Sequence, residues 1–505
     1  MTRHLSRTYL GSAAACAICL FSAPAAFADL TADDVWQQWR GYMERAGYDV
    51  KPGATDANSG TLTVSDLALT MSMEGTDVSM TMPEITFREN GDGTVDIGFP
   101  ASFPLDVMVK EGGEDVALTM TFTHEGLAMT ASGDPEETTY DMAADSFGIS
   151  LDKVEAEGET YEDAASATME GIAGRYALSA GEVMGYMSDL TADSLSYTVD
   201  IADSEGAVKL DGSLTGITSK STGSMPSEGD PEDMAKYLAD GFSADATMGF
   251  TGASYAMEAG GEGETVSVQG QSGAGDLGVT FSSGGIGYSG ALTDLVLAIS
   301  GSEIPLPSID ISMGEYGFNF LMPVSKSDAP EDFASAIRFV DLTVSDMIWG
   351  LFDPAGVLPR DPATVEIDLS GKANWAVDIF DPENAEAMMG DSLPGEVHEL
   401  TLNALQVKLA GADLTGSGAF TFDNDDLQTF PGMPRPEGAV NLKLVGGNGL
   451  LDKLGQMGLM PEEQLMGARM MLGLFARPGD GEDTLTSTIE IDANGGVLAN
   501  GQRLR

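Results

Sequence analysis

The stretch "LTLNALQVKLAGADLTGSGAFTF", residues 400–422, decides the fold class because its apolar side chains alternate with small and polar ones. The apolar positions are Leu400, Leu402, Leu405, Val407, Leu409, Phe420 and Phe422. A repeat of two is typical of β-strands that have one apolar face and one polar face. Comparable phrases recur over most of the chain, so the fold must bring something against each apolar face.

The first 28 residues have the three parts of an export signal. Arg3 and Arg7 supply a basic start, residues 10–21 are apolar, and Ala26-Phe27-Ala28 is a small-x-small cleavage site. We predict cleavage after Ala28 and a periplasmic location for the mature chain. The apolar run is shorter than the ~20 residues that cross a bilayer, and no later run is longer, so we expect no membrane span in the mature chain.

The composition of the mature chain excludes several classes of function. Both cysteines, Cys16 and Cys19, lie in the export signal, so we expect no disulfide, thiolate metal site or cysteine nucleophile. Without residues 1–28 the chain has 22 basic and 80 acidic residues, a formal charge of −58. This charge excludes nucleic acid as a partner, because phosphate binding needs a basic patch. It indicates a solvated surface, with a basic partner or calcium as the alternatives.

The mature chain opens with the pattern of an amphipathic helix. Thr31 is a suitable N-cap, Trp36 and Trp39 lie on the apolar stripe, and Gly47 can end the helix. We expect this helix to pack on a sheet, since its polar face is acidic rather than basic. From Thr61 to about Lys220, alternating segments are separated by short turns, which predicts an antiparallel meander.

A weak internal repeat follows. "MPSEGDPEDMAKYLADGF" from Met225 resembles "MPVSKSDAPEDFASAIRFV" from Met322, with Pro231-Glu232-Asp233 matching Pro330-Glu331-Asp332. A proline followed by acidic residues is typical of a helix start, so each copy predicts a short helix, with chance similarity as the alternative. The glycine-rich residues 249–290 between the copies predict a strongly curved part of the sheet, with a flexible loop as the alternative.

The last third of the chain alternates predicted strands and helices. Strands are predicted around 365–369, 375–379, 400–422 and 440–444. One helix is predicted at "NGLLDKLGQMG" and a second from Pro461 to about Ala476. "TLTSTIEI", "DANGG" and "VLANGQRL" then predict a closing hairpin.

Motifs that could carry chemistry are weak. "GAGDLG" at 273–278 matches the dinucleotide fingerprint, but Val279 and Phe281 continue a strand where a helix is required. The mature chain has two histidines, His124 and His398, so a three-histidine metal centre within one chain is excluded, and no Gly-x-Ser-x-Gly elbow occurs. We therefore predict no catalytic residue, no cofactor and no metal site.

Acidic clusters leave two alternatives open. With 80 acidic residues, carboxylate pairs arise by chance and neither support nor exclude glycosidase chemistry. "NGDG" and "DANGG" contain residues that can bind calcium, although hairpin turns require the same residues and neither has the spacing of a twelve-residue calcium loop. A carboxylate-based hydrolase and a calcium site remain alternatives.

Methionine is abundant, with 28 in the whole chain. Met71, Met73, Met80 and Met82 are spaced by two on adjacent predicted strands. Flexible thioethers can fill an irregular core, line a site for an apolar ligand, or bind copper(I). We predict core packing first and ligand lining second. The candidate lining residues are Met71, Met73, Met80, Met82, Leu405, Val407 and Leu409.

Four phrases resemble an alphaproteobacterial exported family called domain of unknown function 2125. They are "LTVSDMIWGLFDPAGVLPRDPATVEIDLSGKA", "LAGADLTGSGAFTF", "LMGARMMLGLFARPGD" and "NGGVLANGQRL", and the start "LTADDVWQQWRGYMERAGYDV" is similar too. The resemblance implies no catalytic residues. The order of strand pair, helix pair and closing hairpin is more weakly similar to the AsmA-like envelope proteins, which implies lipid held along an apolar groove in a curved sheet.

Together these features predict a mainly β protein. We expect a long, curved, mostly antiparallel sheet with amphipathic helices covering its concave apolar face. The predicted regions are 1–28 signal peptide, 29–48 helix, 49–224 β meander, 225–338 glycine-rich β region with short helices, and 339–505 strands plus helices, with one β array from 49 onward. The predicted function is non-enzymatic binding of lipid or another apolar ligand in envelope maintenance. A structural protein that binds an envelope partner is the alternative, and a hydrolase is third.

Overall fold

The computed structural model describes residues 30–73, 76–111, 114–156, 159–202, 206–227, 233–261, 263–390 and 394–504. The predicted signal peptide with its cleavage site after Ala28 lies outside these residues, as do Pro231 and Glu232 of the internal repeat.

Six α-helices occur in the described part of the chain. They are α1 (Ala32–Arg45), α2 (Met234–Ala239), α3 (Asp346–Phe352), α4 (Ala385–Met388), α5 (Gly447–Gln456) and α6 (Glu462–Phe475), with a 3₁₀ turn at Pro382–Asn384 before α4. None of the helices in these ranges is both long and apolar enough to cross a membrane.

The described residues also form 27 strands, all in one sheet. In the N-terminal half the strands are β1 (Asp49–Lys51), β2 (Ala54–Asn58), β3 (Thr61–Met73), β4 (Thr76–Glu89), β5 (Val95–Gly98), β6 (Ser102–Glu111), β7 (Glu114–Glu125), β8 (Ala128–Gly133), β9 (Glu137–Ala156), β10 (Glu159–Ser179), β11 (Val183–Ala202) and β12 (Ala207–Pro226). In the C-terminal half they are β13 (Ser243–Phe250), β14 (Gly252–Gly261), β15 (Glu264–Ser272), β16 (Gly275–Ser282), β17 (Gly285–Gly301), β18 (Ile309–Met322), β19 (Glu331–Val344), β20 (Ala363–Trp375), β21 (Gly395–Leu409), β22 (Ala412–Asp423), β23 (Arg435–Val445), β24 (Arg477–Pro478), β25 (Thr484–Ile491), β26 (Val497–Ala499) and β27 (Gln502–Arg503).

The sheet is a meander in which every strand pairing is antiparallel. β9, β10, β11 and β12 pair in sequence order, and so do β17 to β23. At five places two short consecutive strands lie end to end beside one longer strand: β1 with β2, β5 with β6, β7 with β8, β13 with β14, and β15 with β16. Short connections leave no room for crossovers, which is why the pairing is antiparallel. The predicted mainly β, antiparallel fold class is confirmed.

The register places the apolar side chains of β13 and of β16 to β23 on one face. Residues directly opposite each other in neighbouring strands share a face, so each aligned set forms a row across the sheet. We call three such rows the apolar strip. The rows are Met248, Leu277, Gly290, Phe318, Ile337, Ile367, Leu405, Gly416 and Leu442; Phe250, Gly275, Leu292, Tyr316, Phe339, Val365, Val407, Leu414 and Leu444; and Ala246, Val279, Tyr288, Phe320, Ser335, Leu369, Leu402, Gly418 and Val440.

The strip contains no charged side chain, whereas intervening positions such as Asp276, Arg338, Glu366 and Lys443 belong to the opposite face. The sheet is therefore two-faced along these strands, as the alternation of residues 400–422 predicts.

The long strands bend at aligned positions. Asp66 in β3, Gly171 in β10, Gly216 in β12, Asp294 in β17 and Asp341 in β19 all have φ between 50° and 64°. This left-handed conformation is open to glycine and tolerated by aspartate, and it bends an extended chain. Apolar side chains from both sides of the bend, such as Ile172 and Met169, pack together in one cluster. The sheet consequently folds toward its apolar face.

Glycines on this face lie beneath aromatic rings of the neighbouring strand. Gly212 pairs with Tyr197, Gly270 with Tyr255, and Gly290 with Phe318. A Cβ atom added to Gly290 would lie 2.7 Å from Cε1 of Phe318. The glycine-rich region is thus made of strands β13 to β17, and the flexible-loop alternative is wrong. At Gly270, Gly275 and Gly290 the missing side chain makes room for an aromatic ring.

We expect Gly290→Ala to destabilise the protein by roughly 1–3 kcal/mol, because the added Cβ atom would displace the Phe318 ring and crowd the carbonyl of Asp276. Urea unfolding measures the change. Gly317→Ala in β18 is the matched control, since its nearest neighbour would be 3.7 Å away. Equal midpoints for the two variants would contradict the ring-over-glycine packing.

Two local predictions were wrong. The repeat predicted a helix after Pro330, but Glu331–Val344 forms β19, whose Ile337 and Phe339 pair with β18 and β20. Strand pairing along the full segment prevails over the helix-start signal. A separate strand was predicted at 375–379, yet β20 runs without interruption from Ala363 to Trp375, and residues 376–381 are not in a strand.

Candidate functional site

Helix α1 covers the apolar face at its N-terminal end. Thr31 and Asp34 form a reciprocal capping box, which fixes the helix start. Trp36 packs against Phe87 with ring centroids 5.8 Å apart, and Trp39 against Phe99 at 5.6 Å. Phe87 is 0% exposed and Trp36 is 3% exposed. The predicted helix and its packing on the sheet are confirmed, and this end of the face is filled by the chain itself.

Burial raises the pKa values of two tyrosines beneath α1. The hydroxyl of Tyr140 donates a hydrogen bond to Oε1 of Gln38 at 2.7 Å, and burial raises the pKa of Tyr140 to about 12. Burial, followed by the neighbouring Tyr42, also raises the pKa of Tyr176. Both hydroxyls are therefore held in the neutral form while α1 is docked.

We expect α1 to detach at alkaline pH. The pKa of Tyr140 is 10 in the unfolded chain and about 12 in the folded protein. The neutral hydroxyl therefore contributes its full stability below pH 10, and this stability is lost as the pH rises toward 12. Tryptophan fluorescence between pH 9 and 12 should report a red shift as Trp36 and Trp39 become exposed. Tyr140→Phe should move this transition to higher pH. An unchanged transition in that variant would contradict a role for Tyr140.

The middle of the apolar face is not covered by any described segment of the chain. Met248 is 44% exposed, Leu277 45%, Ile337 38% and Ile367 37%, although all four lie in one row of the apolar strip. Isolated exposed apolar residues are ordinary, but contiguous ones usually mark a site of interaction. The strip is therefore an uncovered apolar surface inside the fold of the sheet.

At its C-terminal end this face leads into an apolar cavity of about 720 Å³. The sheet contributes Leu414, Leu442, Leu444, Leu485 and Ile489, and the helices α5 and α6 contribute Leu450, Leu451, Ala468, Met471, Leu472 and Phe475. Among the 18 lining residues only Thr486 and Ser487 are polar, and the Ser487 hydroxyl already donates to the carbonyl of Phe475 at 2.6 Å. The volume is within the ~300–1,000 Å³ typical of ligand pockets.

The two helices over the cavity form a hairpin that is held by hydrogen bonds and by an ion pair. Asp483, just before β25, accepts hydrogen bonds from the backbone N–H groups of Asn448 and Gly449 and so caps α5. Arg469 of α6 forms an ion pair with Asp452 of α5. Both helices were predicted from their apolar spacing, and both are confirmed.

The candidate lining residues fall into two separate groups. Met82 is 5% exposed and belongs to the N-terminal core, and Met80 packs against that core. Met71 is half-buried and pairs with Val78, and the side chain of Met73 lies outside the described part of the chain.

The second group of candidate lining residues is in β21. Leu405 and Val407 lie in the apolar strip, and Leu409 follows them in the same strand, 50% exposed. The structure does not bring the methionines together with these three residues.

The glycine motif and the two histidines of the predicted mature chain lie within or beside strands. Gly275 of the glycine motif begins β16 rather than a helix. Nε2 of His124 lies 3.0 Å from the carbonyl of Pro100, and Nε2 of His398 lies 2.7 Å from Oδ1 of Asn374. In the part of the chain that is described, no group of three or more His, Cys, Asp or Glu side chains could hold a metal ion.

Sequence reasoning did not identify the cavity. The sequence pattern marks Leu442, Leu444, Leu450 and Leu451 as apolar positions of a strand and a helix, but does not show that they are the walls of one space. The only available signal was that α6 is apolar on more than one side, from Leu465 to Phe475.

These features define a class: a mainly antiparallel β protein with one apolar face, which α1 fills at one end, which is uncovered in the middle, and which α5 and α6 cover over a cavity at the other end. The family model described as "Uncharacterized protein conserved in bacteria (DUF2125)" matches residues 247–504, and the chain belongs to this family. The predicted family resemblance is confirmed, and the matched region contains most of the apolar strip and the whole cavity. The likeness to AsmA-like proteins stays a prediction.

Comparison with solved structures gives only remote similarity. The chain is similar to the ferric citrate transporter FecA in the unliganded form, with 8% identity over 90% of this chain and 76% of that chain and a TM-score of 0.16. It is also similar to BauA, the ferric preacinetobactin receptor from Acinetobacter baumannii, with 7% identity over 89% and 77% of the two chains and a TM-score of 0.12. TM-scores this low carry no argument about fold or function. No curated protein matches the chain.

Proposed function

We propose that this protein is a non-enzymatic periplasmic protein that binds lipid or another apolar ligand in envelope maintenance. The observation that carries the proposal is the cavity of about 720 Å³ under α5 and α6, whose lining contains no charged side chain. Such a space excludes ionised ligand groups and favours hydrocarbon, because a charge moved there would lose its hydration without finding a partner.

The apolar strip extends the same chemistry away from the cavity. Leu414, Leu442 and Leu444 belong both to the strip and to the cavity lining, so the two surfaces are continuous. Apolar surface left in water costs on the order of 25 cal/mol per Å². Bound hydrocarbon would remove that cost over the part of the strip that it covers, and no charged side chain of the strip would lose its hydration.

Export is part of the proposal. The basic start, the apolar segment and the cleavage site after Ala28 support processing before folding. N-terminal sequencing of protein recovered from the periplasm is expected to begin at Asp29.

The test is mass spectrometry of an organic extract. The mature protein is purified from the periplasm without detergent, beside an exported control protein prepared in the same way. At least one molecule of lipid per chain, absent from the control, is the expected result. A clean extract from protein that melts cooperatively would overturn the proposal.

A protein partner is the second candidate, favoured by exposed apolar side chains outside the strip. Leu351 is 68% exposed and Phe352 46% exposed, both at the end of α3. Crosslinking in the periplasm, followed by identification of the crosslinked chain, separates this candidate from lipid binding.

A further inference from the structure

A lysine lies at the edge of the cavity under α5 and α6. Lys453 of α5 comes three residues after Leu450, which lines the cavity, and residues three apart lie on the same side of a helix. The Nζ atom of Lys453 lies over the turn between β21 and β22, 3.6 Å from the position that a Cβ atom on Gly411 would occupy. The next residue, Ala412, also lines the cavity. The ammonium group is therefore beside the apolar lining without being part of it.

The ammonium group of Lys453 has no carboxylate partner within the part of the chain that the structure describes. The adjacent carboxylate, Asp452, forms its ion pair with Arg469 of α6. Lys453 is half-buried, and a lysine can lay its methylene stem along apolar surface while its charge stays hydrated. Its positive charge is thus available to a negative group that comes from outside the chain.

The segment that supplies most of the cavity walls is not acidic, unlike the rest of the chain. Residues 438–479 include α5, α6 and most of β23, and they contain four basic and three acidic residues, a net charge of +1. The whole chain has a net charge of −56. Most of the surface therefore repels an anion, and the cavity is the place where this repulsion is weakest.

From these observations we propose that the ligand of the cavity is an acyl chain that ends in an anionic group, a carboxylate or a phosphate, which pairs with Lys453. The proposal rests on the proposed function and names the chemical class of its ligand. The lining takes the hydrocarbon, because it contains no charged side chain. The anionic group stays at the edge, where water and the ammonium group both compensate its charge. A lysine ammonium is a compact charge with rotatable donors, so it suits either anion.

A purely structural role for Lys453 makes a different prediction. Lys453 lies in the last turn of α5, where the helix dipole favours a cation. Loss of that contribution would loosen α5 and weaken every ligand of the cavity alike. Loss of an ion pair would weaken only the ligands that carry negative charge. Ligands that share one chain and differ in the end group therefore separate the two roles.

The experiment is calorimetric titration of the mature protein with decanoate, decyl phosphate and decan-1-ol, after co-purifying lipid has been removed on a hydrophobic resin. The test variant is Lys453→Met, which keeps an unbranched apolar stem, and Lys453→Arg keeps the charge. The matched control is Lys443→Met, which removes one positive charge on the exposed, opposite face of β23.

We expect Lys453→Met to lose roughly tenfold in affinity for decanoate, decyl phosphate or both, because a hydrogen bond to a charged group is lost. Its affinity for decan-1-ol should stay within about twofold of the wild type, as should every affinity of Lys443→Met. Lys453→Arg should recover most of the affinity for the anionic probes. A larger loss for decanoate indicates a fatty acid as the natural ligand, and a larger loss for decyl phosphate indicates a phospholipid.

Three outcomes would overturn the proposal. They are a Lys453→Met variant that binds the anionic probes as tightly as the wild type does, a variant that loses affinity for all three probes equally, and a Lys443→Met control that loses as much as the test variant. Binding of decan-1-ol by the wild type separates this proposal from the proposed function. If decan-1-ol binds and Lys453→Met changes nothing, the role of Lys453 is wrong and the apolar site stands. If none of the probes binds to the wild type, both are wrong.

Discussion

Replacement of Phe87 by alanine is expected to destabilise the protein by about 3–5 kcal/mol, the largest effect of any single truncation proposed here. Phe87 is 0% exposed, and its ring contacts Trp36 at 5.8 Å and Trp39 at 6.5 Å between centroids. Removing the ring leaves a cavity between β4 and α1 that the rigid capped helix cannot fill. Urea unfolding, followed by tryptophan fluorescence, measures the loss.

The matched control is Phe320→Ala in the apolar strip. Phe320 loses the same atoms but is 39% exposed and lies in the uncovered part of the same face. We expect it to cost less than about 1 kcal/mol in the absence of ligand. Similar losses at the two positions would mean that the strip is packed as tightly as the N-terminal core, and this would count against an open ligand surface.

The strands and most helices could be predicted because their signals are local. The alternation at Leu405 and Val407 and the capping pair of Thr31 and Asp34 each specify one element from a few neighbouring residues. The helix predicted after Pro330 failed for the opposite reason. Pro330 and the two acidic residues after it do match a helix start. However, pairing of Glu331–Val344 with two neighbouring strands stabilises the extended chain more than a short helix would.

The bend of the sheet and the cavity could not be predicted, because both depend on alignment between distant residues. Asp294 and Gly216 look like ordinary turn residues, and only the register shows that they lie on one line across the sheet. Likewise, Leu442 and Leu472 are 30 residues apart in sequence and meet only because α5 and α6 return over β23. Alternation specifies which face is apolar and not what covers it.

The second large effect is expected from Leu442→Asp. Leu442 lies in both the apolar strip and the cavity lining, and that lining contains no basic side chain that could form an ion pair with a carboxylate. An ionised aspartate there would have to keep its water, and that water would exclude hydrocarbon. A penalty of about 3 kcal/mol corresponds to a loss of roughly 100-fold in affinity for an apolar ligand. Titration with a fluorescent fatty acyl probe measures it.

Lys443→Asp is the matched control for this variant. It places the same carboxylate one residue along β23, but on the opposite and exposed face of the sheet. Folding should be retained in the control, and probe affinity should stay within about twofold of the wild type, because surface substitutions rarely cost more than ~0.5 kcal/mol. If Leu442→Asp folds and still binds the probe as tightly as Lys443→Asp does, the ligand lies elsewhere than the cavity. A loss confined to Leu442→Asp would instead place hydrocarbon against β23, the neighbour of β22, whose alternation within residues 400–422 indicates one apolar face.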